Sequence, residues 1–404
     1  MSSIVFLLSQ SLDSPSGLGR YGPLASQLAK LGHQVEIFAL HPAFGELDQR
    51  SLDVDGVQVH YVAQMHVMKS GDSKSYFSTS QLVKVTLQAA WHLSRSAINT
   101  KADIVYIGKP HPMNSVAGLC AKFINRSTLF LDCDDYEAGS GRFNSRWQKS
   151  IISFFEKWMP RQVKLITTNT YFMRDKLISW GIPAEKIQYL PNGVDRIRFS
   201  KTDPGEVESL RAELELGSKK VIGYIGSLSL PSHPVNLLLE AFHKIHETDQ
   251  NTILMLVGGG EDKILLNQLV QELGISQATR FCGRVLPEKI PLYYSLSDVS
   301  VDPVYDNDAA RGRSPLKLFE SWACGVPFVT ADVGDRKSLL GDPPAGLLAQ
   351  PGDPESLAES IQRVLSDKTL ANSIVEAGKL KIRDYYWDEL AIEFSKMYSD
   401  HSQT

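Results

Sequence analysis

The sequence predicts an α/β protein made of two doubly wound units, each a parallel sheet covered by helices. Short apolar runs bounded by Gly, Pro or Asp alternate with longer stretches of helical period, the pattern of buried parallel strands joined by helices. The alternation occurs twice along the chain. A length of 404 residues fits two domains at roughly 100 to 200 residues each, and 43% hydrophobic with 22% charged residues is enough apolar chain to fill their cores.

Ile4 to Leu8 opens the first unit. The run has no basic leader and is too short for a secretion signal, so a buried strand is expected. A helix near Arg20 to Leu31 should stop at Gly32. Strands follow at Val35 to Leu40, Asp103 to Ile107 and Thr128 to Asp132, then a helix from about Trp147 to Trp158 and a strand at Leu165 to Thr168. The unit closes on the turn-forming Pro191-Asn192-Gly193-Val194-Asp195.

The polar stretch Arg196 to Gly205 lacks an apolar period and is expected to link the units. Beyond it come strands at Val221 to Ile225, Thr252 to Val257, Val299 to Val304 and Phe328 to Thr330. Helices are expected at Val235 to Ile245, Asp262 to Leu273, Ser314 to Ala323, Pro354 to Leu365 and Leu370 to Arg383, with a last amphipathic helix at Trp387 to Met397. The expected division is 1–195, 196–383 and a terminal helix over 384–404.

Forty-two Lys plus Arg against 46 Asp plus Glu give a net charge of −4, which argues against a nucleic-acid binder held by phosphate neutralisation. Cys120, Cys133, Cys282 and Cys324 are too scattered for a zinc cluster or disulfide scaffold and fit buried thiols of a reducing compartment. No run approaches the ~20 apolar residues of a membrane span. A cytoplasmic location is expected.

Several motifs carry chemistry, each beside a plainer reading. Gly17-Leu18-Gly19-Arg20-Tyr21-Gly22 is formally a dinucleotide fingerprint, but it does not directly follow a strand, and the next strand ends Ala39-Leu40-His41 without an acid for a ribose. A flexible turn, or a glycine loop bringing N–H groups to a phosphate, remains. Asp132-Cys133-Asp134-Asp135, with Glu137 beyond, offers hard oxygens to a divalent cation or lines a solvated cleft. His111, between two prolines after a strand, is structural or a donor to a sugar hydroxyl.

The richest segment is Gly312-Arg313-Ser314-Pro315-Leu316-Lys317-Leu318-Phe319-Glu320. Ser314 suits an N-cap and Pro315 the first helical position, so a phosphate-attracting helix start is expected here. Lys317 and Glu320 share a face, either as a surface ion pair or as a cation and a carboxylate turned into one site. Arg311 and Arg313 add charge. The helix Trp147 to Trp158 carries Phe154, Phe155 and Trp158 beside Lys149, Lys157 and Arg161, a stripe that is either core or a peripheral contact with an anionic membrane.

That segment resembles the signature region of family 4 retaining glycosyltransferases of the GT-B fold. Ser16-Gly17-Leu18-Gly19, Leu31-Gly32-His33-Gln34-Val35, Pro191-Asn192-Gly193-Val194-Asp195, Val257-Gly258-Gly259-Gly260, Phe281-Cys282-Gly283-Arg284-Val285 and Gly346-Leu347-Leu348 before Pro351-Gly352-Asp353 agree in order, over nearly the whole chain. The resemblance implies two Rossmann-like domains facing a cleft, the acceptor on the first, the nucleotide sugar on the second, and the last helix crossing back to the first domain. It implies that Glu320 takes the donor ribose, the backbone at Arg284 and Val285 meets the base, and Ser314 to Leu316 hold the diphosphate. It also implies that Gly17 and Gly19 approach that diphosphate, and that His111 lies near the transferred sugar.

Three departures from the family pattern stand out. The first acid of the family, eight residues before Glu320, falls on Gly312, which leaves Asp306 or Asp308 as substitutes. The usual Arg and Lys after the first strand of the second domain correspond to Ser227 and His233. Pro315 removes a backbone donor. Lys317, helped by Arg313 or Arg311, is therefore expected to replace the lost cations.

The expected activity is transfer of a hexose from a UDP- or GDP-sugar to a glycan, lipid-linked or small-molecule hydroxyl, with retention and with no metal or other cofactor. His111, Lys317 and Arg313 are the expected catalytic residues, and Asp134 and Asp135 the expected acceptor contacts. A noncatalytic sugar-nucleotide-binding partner subunit, or an epimerase or phosphorylase of the same architecture, is the alternative.

Overall fold

The computed structural model describes residues 1–70, 73–139, 145–200 and 202–402. Within the expected linker, residue 201 lies outside the described residues, as do the last two residues of the 384–404 segment. The chain divides into two compact units, Met1–Gly193 with Trp387–Thr404, and Val194–Tyr386.

Among the described residues, unit 1 holds an eight-stranded sheet: β1 (Ser3–Leu8), β2 (Gln34–His41), β3 (Ser51–Val54), β4 (Val57–Gln64), β7 (Ile104–Gly108), β8 (Thr128–Cys133), β9 (Leu165–Thr168) and β10 (Ile187–Tyr189), with β5 (Val67–Ser70) and β6 (Ser73–Tyr76) paired separately as an antiparallel ribbon. The order is β10-β9-β8-β7-β1-β2-β4-β3. Only the β3–β4 pair in this sheet is antiparallel.

Successive strand residues face opposite sides, so the continuous apolar runs feed two cores. Val5, Leu7, Val105, Ile107, Leu129 and Leu131 enter one, with Ala89 and Leu93 of the helix Thr79–Thr100 and Ala117 of the helix Pro112–Asn125. Ile4, Phe6, Leu8, Tyr106 and Phe130 enter the other, with Leu24 and Leu28 of the helix Gly22–Lys30. The C-terminal helix Trp387–Ser402 completes this second layer through Trp387, Leu390, Ala391 and Phe394. Phe394 stands edge-on to Tyr106 at 5.3 Å. The last helix thus returns to the first unit, as the resemblance implies.

Unit 2 carries β11 (Lys220–Ile225), β12 (Thr252–Val257), β13 (Thr279–Gly283), β14 (Val299–Val301), β15 (Phe328–Ala331) and β16 (Leu347–Ala349), all parallel, in the order β13-β12-β11-β14-β15-β16. The same alternation sends Ile222 and Tyr224 to one core and Val221 and Ile225 to the other.

Three expectations shift. The linker stretch is interrupted by a helix, Pro204–Glu213, whose N-terminus is capped by the Asp203 carboxylate on the Gly205 N–H; Val207, Leu210 and Leu214 pack on unit 2. The strand expected to reach Val304 ends at Val301. The helix expected from Ser314 runs over Leu316–Cys324, because Pro315 adopts an extended ψ of 96° and is itself the N-cap, without a side-chain cap bond.

Candidate functional site

In unit 2 Lys317 and Asp302 meet at the carboxyl ends of β11 and β14, where doubly wound sheets bind ligands. β11 continues into Gly226, whose N–H reaches the Val257 carbonyl at 2.9 Å. A Cβ at Gly226 would come within 2.7 Å of Lys317 Cε, so the missing side chain makes room for the lysine. Lys317 Nζ donates to Asp302 Oδ1 at 3.0 Å and lies 5.1 Å from the Tyr224 ring centre. Arg336 Nη2 takes the other oxygen of Asp302 at 3.1 Å.

One carboxylate between two cations leaves net positive charge at the mouth of the helix Leu316–Cys324. Burial pushes the Asp302 carboxyl up, but Lys317, Arg336 and His233 outweigh it and hold it well below the usual range. The first N–H groups of the helix belong to Leu316 and Lys317, and such groups attract anions. Lys317 lies beside Gly226, one residue before Ser227 at the end of β11.

Glu320 does not pair with Lys317. Its Oε2 accepts the Tyr294 hydroxyl at 2.8 Å, and burial raises its carboxyl against the opposing pull of Tyr294, Arg198 and Lys317. Arg313 donates Nη1 to the Ser232 carbonyl at 2.6 Å, tying the helix entrance to the loop after β11. Ser314 is buried. Arg284 is exposed, whereas Val285 leans on the unit 2 core.

Two expectations are corrected. Asp306 is bound bidentately by Arg311 at 2.7 and 2.8 Å, and Asp308 lies 3.9 Å from the same guanidinium; this exposed group is a surface ion pair. The acid that faces Lys317 is Asp302. Sequence reasoning missed both Asp302 and Arg336, although Asp302-Pro303 inside the strand expected at Val299 to Val304 was a usable signal that the strand ends early.

In unit 1, Gly17 donates its N–H to Ser14 Oγ at 3.0 Å, and a Cβ there would lie 2.6 Å from Leu12 Cα. Loop packing accounts for this glycine, and its N–H is already committed. Residues Gly17–Tyr21, with Gly19 buried among them, form a π turn. Arg20, which the motif reading passed over, is buried and grips Asp132 through Nε and Nη2, both at 2.6 Å, and donates Nη1 to the Leu190 carbonyl and Asn192 Oδ1 at 3.0 and 3.1 Å. Asp132 is therefore the buried counter-ion of Arg20. Burial pushes its carboxyl up, and Arg20 brings it below the ordinary value.

His111 caps the helix Pro112–Asn125, with its Nδ1 2.7 Å from Ser9 Oγ and its Nε2 3.7 Å from Glu137 Oε2. Oxygens of Asp134, Asp135 and Glu137 lie within 4.8 Å of one another, a spacing that could hold a metal. Lys109 Nζ sits among them at 3.1, 2.9 and 2.5 Å. The expected acceptor contact at Asp134 is corrected by its burial against Lys109; Asp135 keeps 27% of its side-chain surface exposed.

Of the aromatic stripe on the helix Arg146–Trp158, Phe154 is exposed, Phe155 is half-buried and Trp158 packs against the unit 1 core. Trp147, Ile151 and Phe154 are exposed while Glu156 is buried, accepting the N–H groups of Glu137 and Ala138 at 2.7 and 3.1 Å. Among the described residues, no helix is long and apolar enough to cross a membrane.

Two doubly wound units, the second with a cationic helix start beside its strand ends and the first closed by the C-terminal helix, define the GT-B architecture. Residues 206–381 match the model described as glycosyl transferases group 1, and residues 16–193 match the glycosyl transferase 4-like domain. The chain belongs to the group 1 glycosyltransferases. It is 26% identical over 234 residues to the GDP-mannose-dependent alpha-(1-6)-phosphatidylinositol monomannoside mannosyltransferase of Mycobacterium tuberculosis, covering 57% of this chain and 60% of that relative. It is 28% identical over 220 residues to the D-inositol 3-phosphate glycosyltransferase of Corynebacterium urealyticum, covering 53% and 51%. In fold it is similar to sucrose-phosphate synthase from Thermosynechococcus elongatus, with a TM-score of 0.81 at 17% identity and full coverage of both chains. Anabaena HepE in complex with UDP-glucose matches with a TM-score of 0.74 at 20% identity over 99% of this chain and 100% of that one.

Proposed function

We propose that the protein transfers a hexose from a nucleotide diphosphate sugar, UDP- or GDP-linked, to a hydroxyl of a glycan, lipid-linked or small-molecule acceptor, with retention of configuration. The observation that carries this reading is the net positive charge of Lys317 and Arg336 about Asp302 at a helix start. Cleavage of the sugar C1–O bond leaves negative charge on the departing diphosphate, and a preorganised cation with helix N–H groups lowers that barrier. In this reading no metal is needed for the task. Ser314 to Leu316 hold the diphosphate, Glu320 takes the ribose hydroxyls, and the backbone at Arg284 and Val285 meets the base. Arg313 fixes the entrance loop and His111 serves the sugar. Retention follows the family resemblance: the acceptor oxygen bonds to C1 on the face the diphosphate leaves, and its proton passes to the departing phosphate oxygen.

A thermal-shift screen with UDP, GDP and ADP tests the donor site. A ligand bound only by the folded protein raises the melting temperature, so one nucleotide should give the largest rise. No shift with any of them contradicts the reading.

Contact with a membrane surface is part of the same proposal. On the helix Arg146–Trp158 the apolar residues Trp147, Ile151 and Phe154 are exposed, its exposed charges Arg146, Lys149 and Lys157 are all basic, and its one acid, Glu156, is turned inward. Aromatic and basic residues together suit an anionic interface. Binding to vesicles rich in anionic lipid, reversed by high salt and lost in Trp147→Ser/Phe154→Ser, is expected; equal binding by that variant contradicts it.

A further inference from the structure

The loop that delivers His111 is held by a residue with no role in the reaction proposed above. Lys109 follows β7 with φ +72°, a left-handed backbone that residues with a side chain rarely adopt. Its neighbours fix it: the Gly108 carbonyl accepts Asn114 Nδ2 at 2.6 Å, and the Lys109 carbonyl accepts the His111 N–H at 2.8 Å. The residue is 4% exposed. Its ammonium touches Asp134, Asp135 and Glu137, and the other oxygen of Glu137 faces His111 Nε2.

We propose that Lys109 is the resident cation of the Asp134–Asp135–Glu137 cluster, in the place a divalent ion would take, and that it is a positioning residue for His111, acting through Glu137. The inference rests on His111 serving the transfer reaction. Burial alone would drive the ammonium down, but the three carboxylates reverse this and hold it charged, well above its ordinary value. Burial also raises the Asp134 carboxyl, with Asp135 and Asp132 adding to the rise, even beside Lys109. Without the ammonium, three acids whose oxygens lie within 4.8 Å would repel one another. A divalent cation would then enter the place the ammonium leaves, and Glu137 would lose the contact that fixes it against the imidazole.

The test uses the whole chain with Lys109→Met, Lys109→Arg, Glu137→Gln, His111→Ala and the double variant Lys109→Met/His111→Ala. Turnover is read as nucleoside diphosphate released from UDP- and GDP-hexoses in the presence of a panel of glycan, lipid-linked and small-molecule hydroxyl acceptors, and Mn2+ binding is read by calorimetry. Lys109→Met should lower kcat about tenfold or more with the donor KM within about twofold, Lys109→Arg should restore most of it, and in the His111→Ala background the further loss should be under about twofold, because the two residues act as one unit. Lys109→Met should also bind one Mn2+ that wild type does not, and adding Asp134→Asn should abolish that binding. Unchanged kcat in folded Lys109→Met, or fully additive losses in the double variant, overturns the positioning role. Absence of Mn2+ binding overturns the resident cation. If Lys109→Met does not fold, Glu137→Gln keeps the ammonium paired with Asp134 and Asp135, and its kcat loss should likewise vanish in the His111→Ala background. A wild type that releases no nucleoside diphosphate defeats the transferase reading instead, and the Mn2+ titration still decides the cation.

Discussion

Lys317 Nζ lies 3.0 Å from Asp302 Oδ1, while Arg336 holds the second oxygen of the same carboxylate at 3.1 Å. The lysine is thereby fixed against Gly226 and Tyr224, and one positive charge is left over beside the start of the helix Leu316–Cys324. Lys317→Met keeps the stem and removes that charge. Turnover should fall about 100-fold or more, the scale of losing a charge-stabilising group at a transition state, with the melting temperature nearly kept because Arg336 still pairs with Asp302. Near-normal kcat in the folded variant contradicts the assignment.

Glu320→Gln should weaken nucleoside diphosphate binding about tenfold, because a charged acceptor for sugar hydroxyls becomes neutral. Isothermal titration gives the affinity directly. The Tyr294 hydroxyl can still donate to the amide oxygen, so the fold should hold. An unchanged dissociation constant rules out the ribose contact.

Arg20→Met leaves the buried Asp132 without its cation and the Leu190 carbonyl without a donor. Breaking a buried pair from one side costs about 3 to 5 kcal/mol. Urea unfolding should show a loss of that order; a loss under about 1 kcal/mol contradicts the structural role given to the pair.

Glu156 gives the pH dependence. Burial, with Glu137 beside it, raises its carboxyl from 4.5 to about 8. Between those values the folded state holds a proton that the unfolded state has released, so this contribution to stability is complete below about pH 4.5 and is lost as pH rises toward about 8. Glu156→Gln should lose less melting temperature than wild type between about pH 5 and about pH 8. An equal fall in both proteins contradicts the sign.

The strands were legible because they are buried on both faces: Thr252–Val257 and Leu165–Thr168 read as apolar or β-branched runs with little ambiguity. The helix Pro204–Glu213 was not, since only Val207 and Leu210 anchor it within a polar sequence. Lys317 and Glu320 were legible as i, i+3 neighbours, but their partners were not. Asp302 reaches Lys317 across 15 residues and Tyr294 reaches Glu320 across 26, while Arg336 reaches Asp302 across 34, distances that topology closes and periodicity does not record. Lys109 and Arg20 were hidden for the same reason: each is a lone cation in sequence and becomes a hub only when strand ends converge.

The central claim is that this chain turns over a nucleotide sugar at the cation held by Asp302. The most direct test is chromatographic detection of free nucleoside diphosphate after incubation with UDP- and GDP-hexoses and a panel of glycan, lipid-linked and small-molecule hydroxyl acceptors in excess chelator, for wild type and Lys317→Met. Release from one donor by wild type, unaffected by the chelator and lost in the variant, is the predicted result. Binding of that donor without any release, or release that continues undiminished in Lys317→Met, would contradict it.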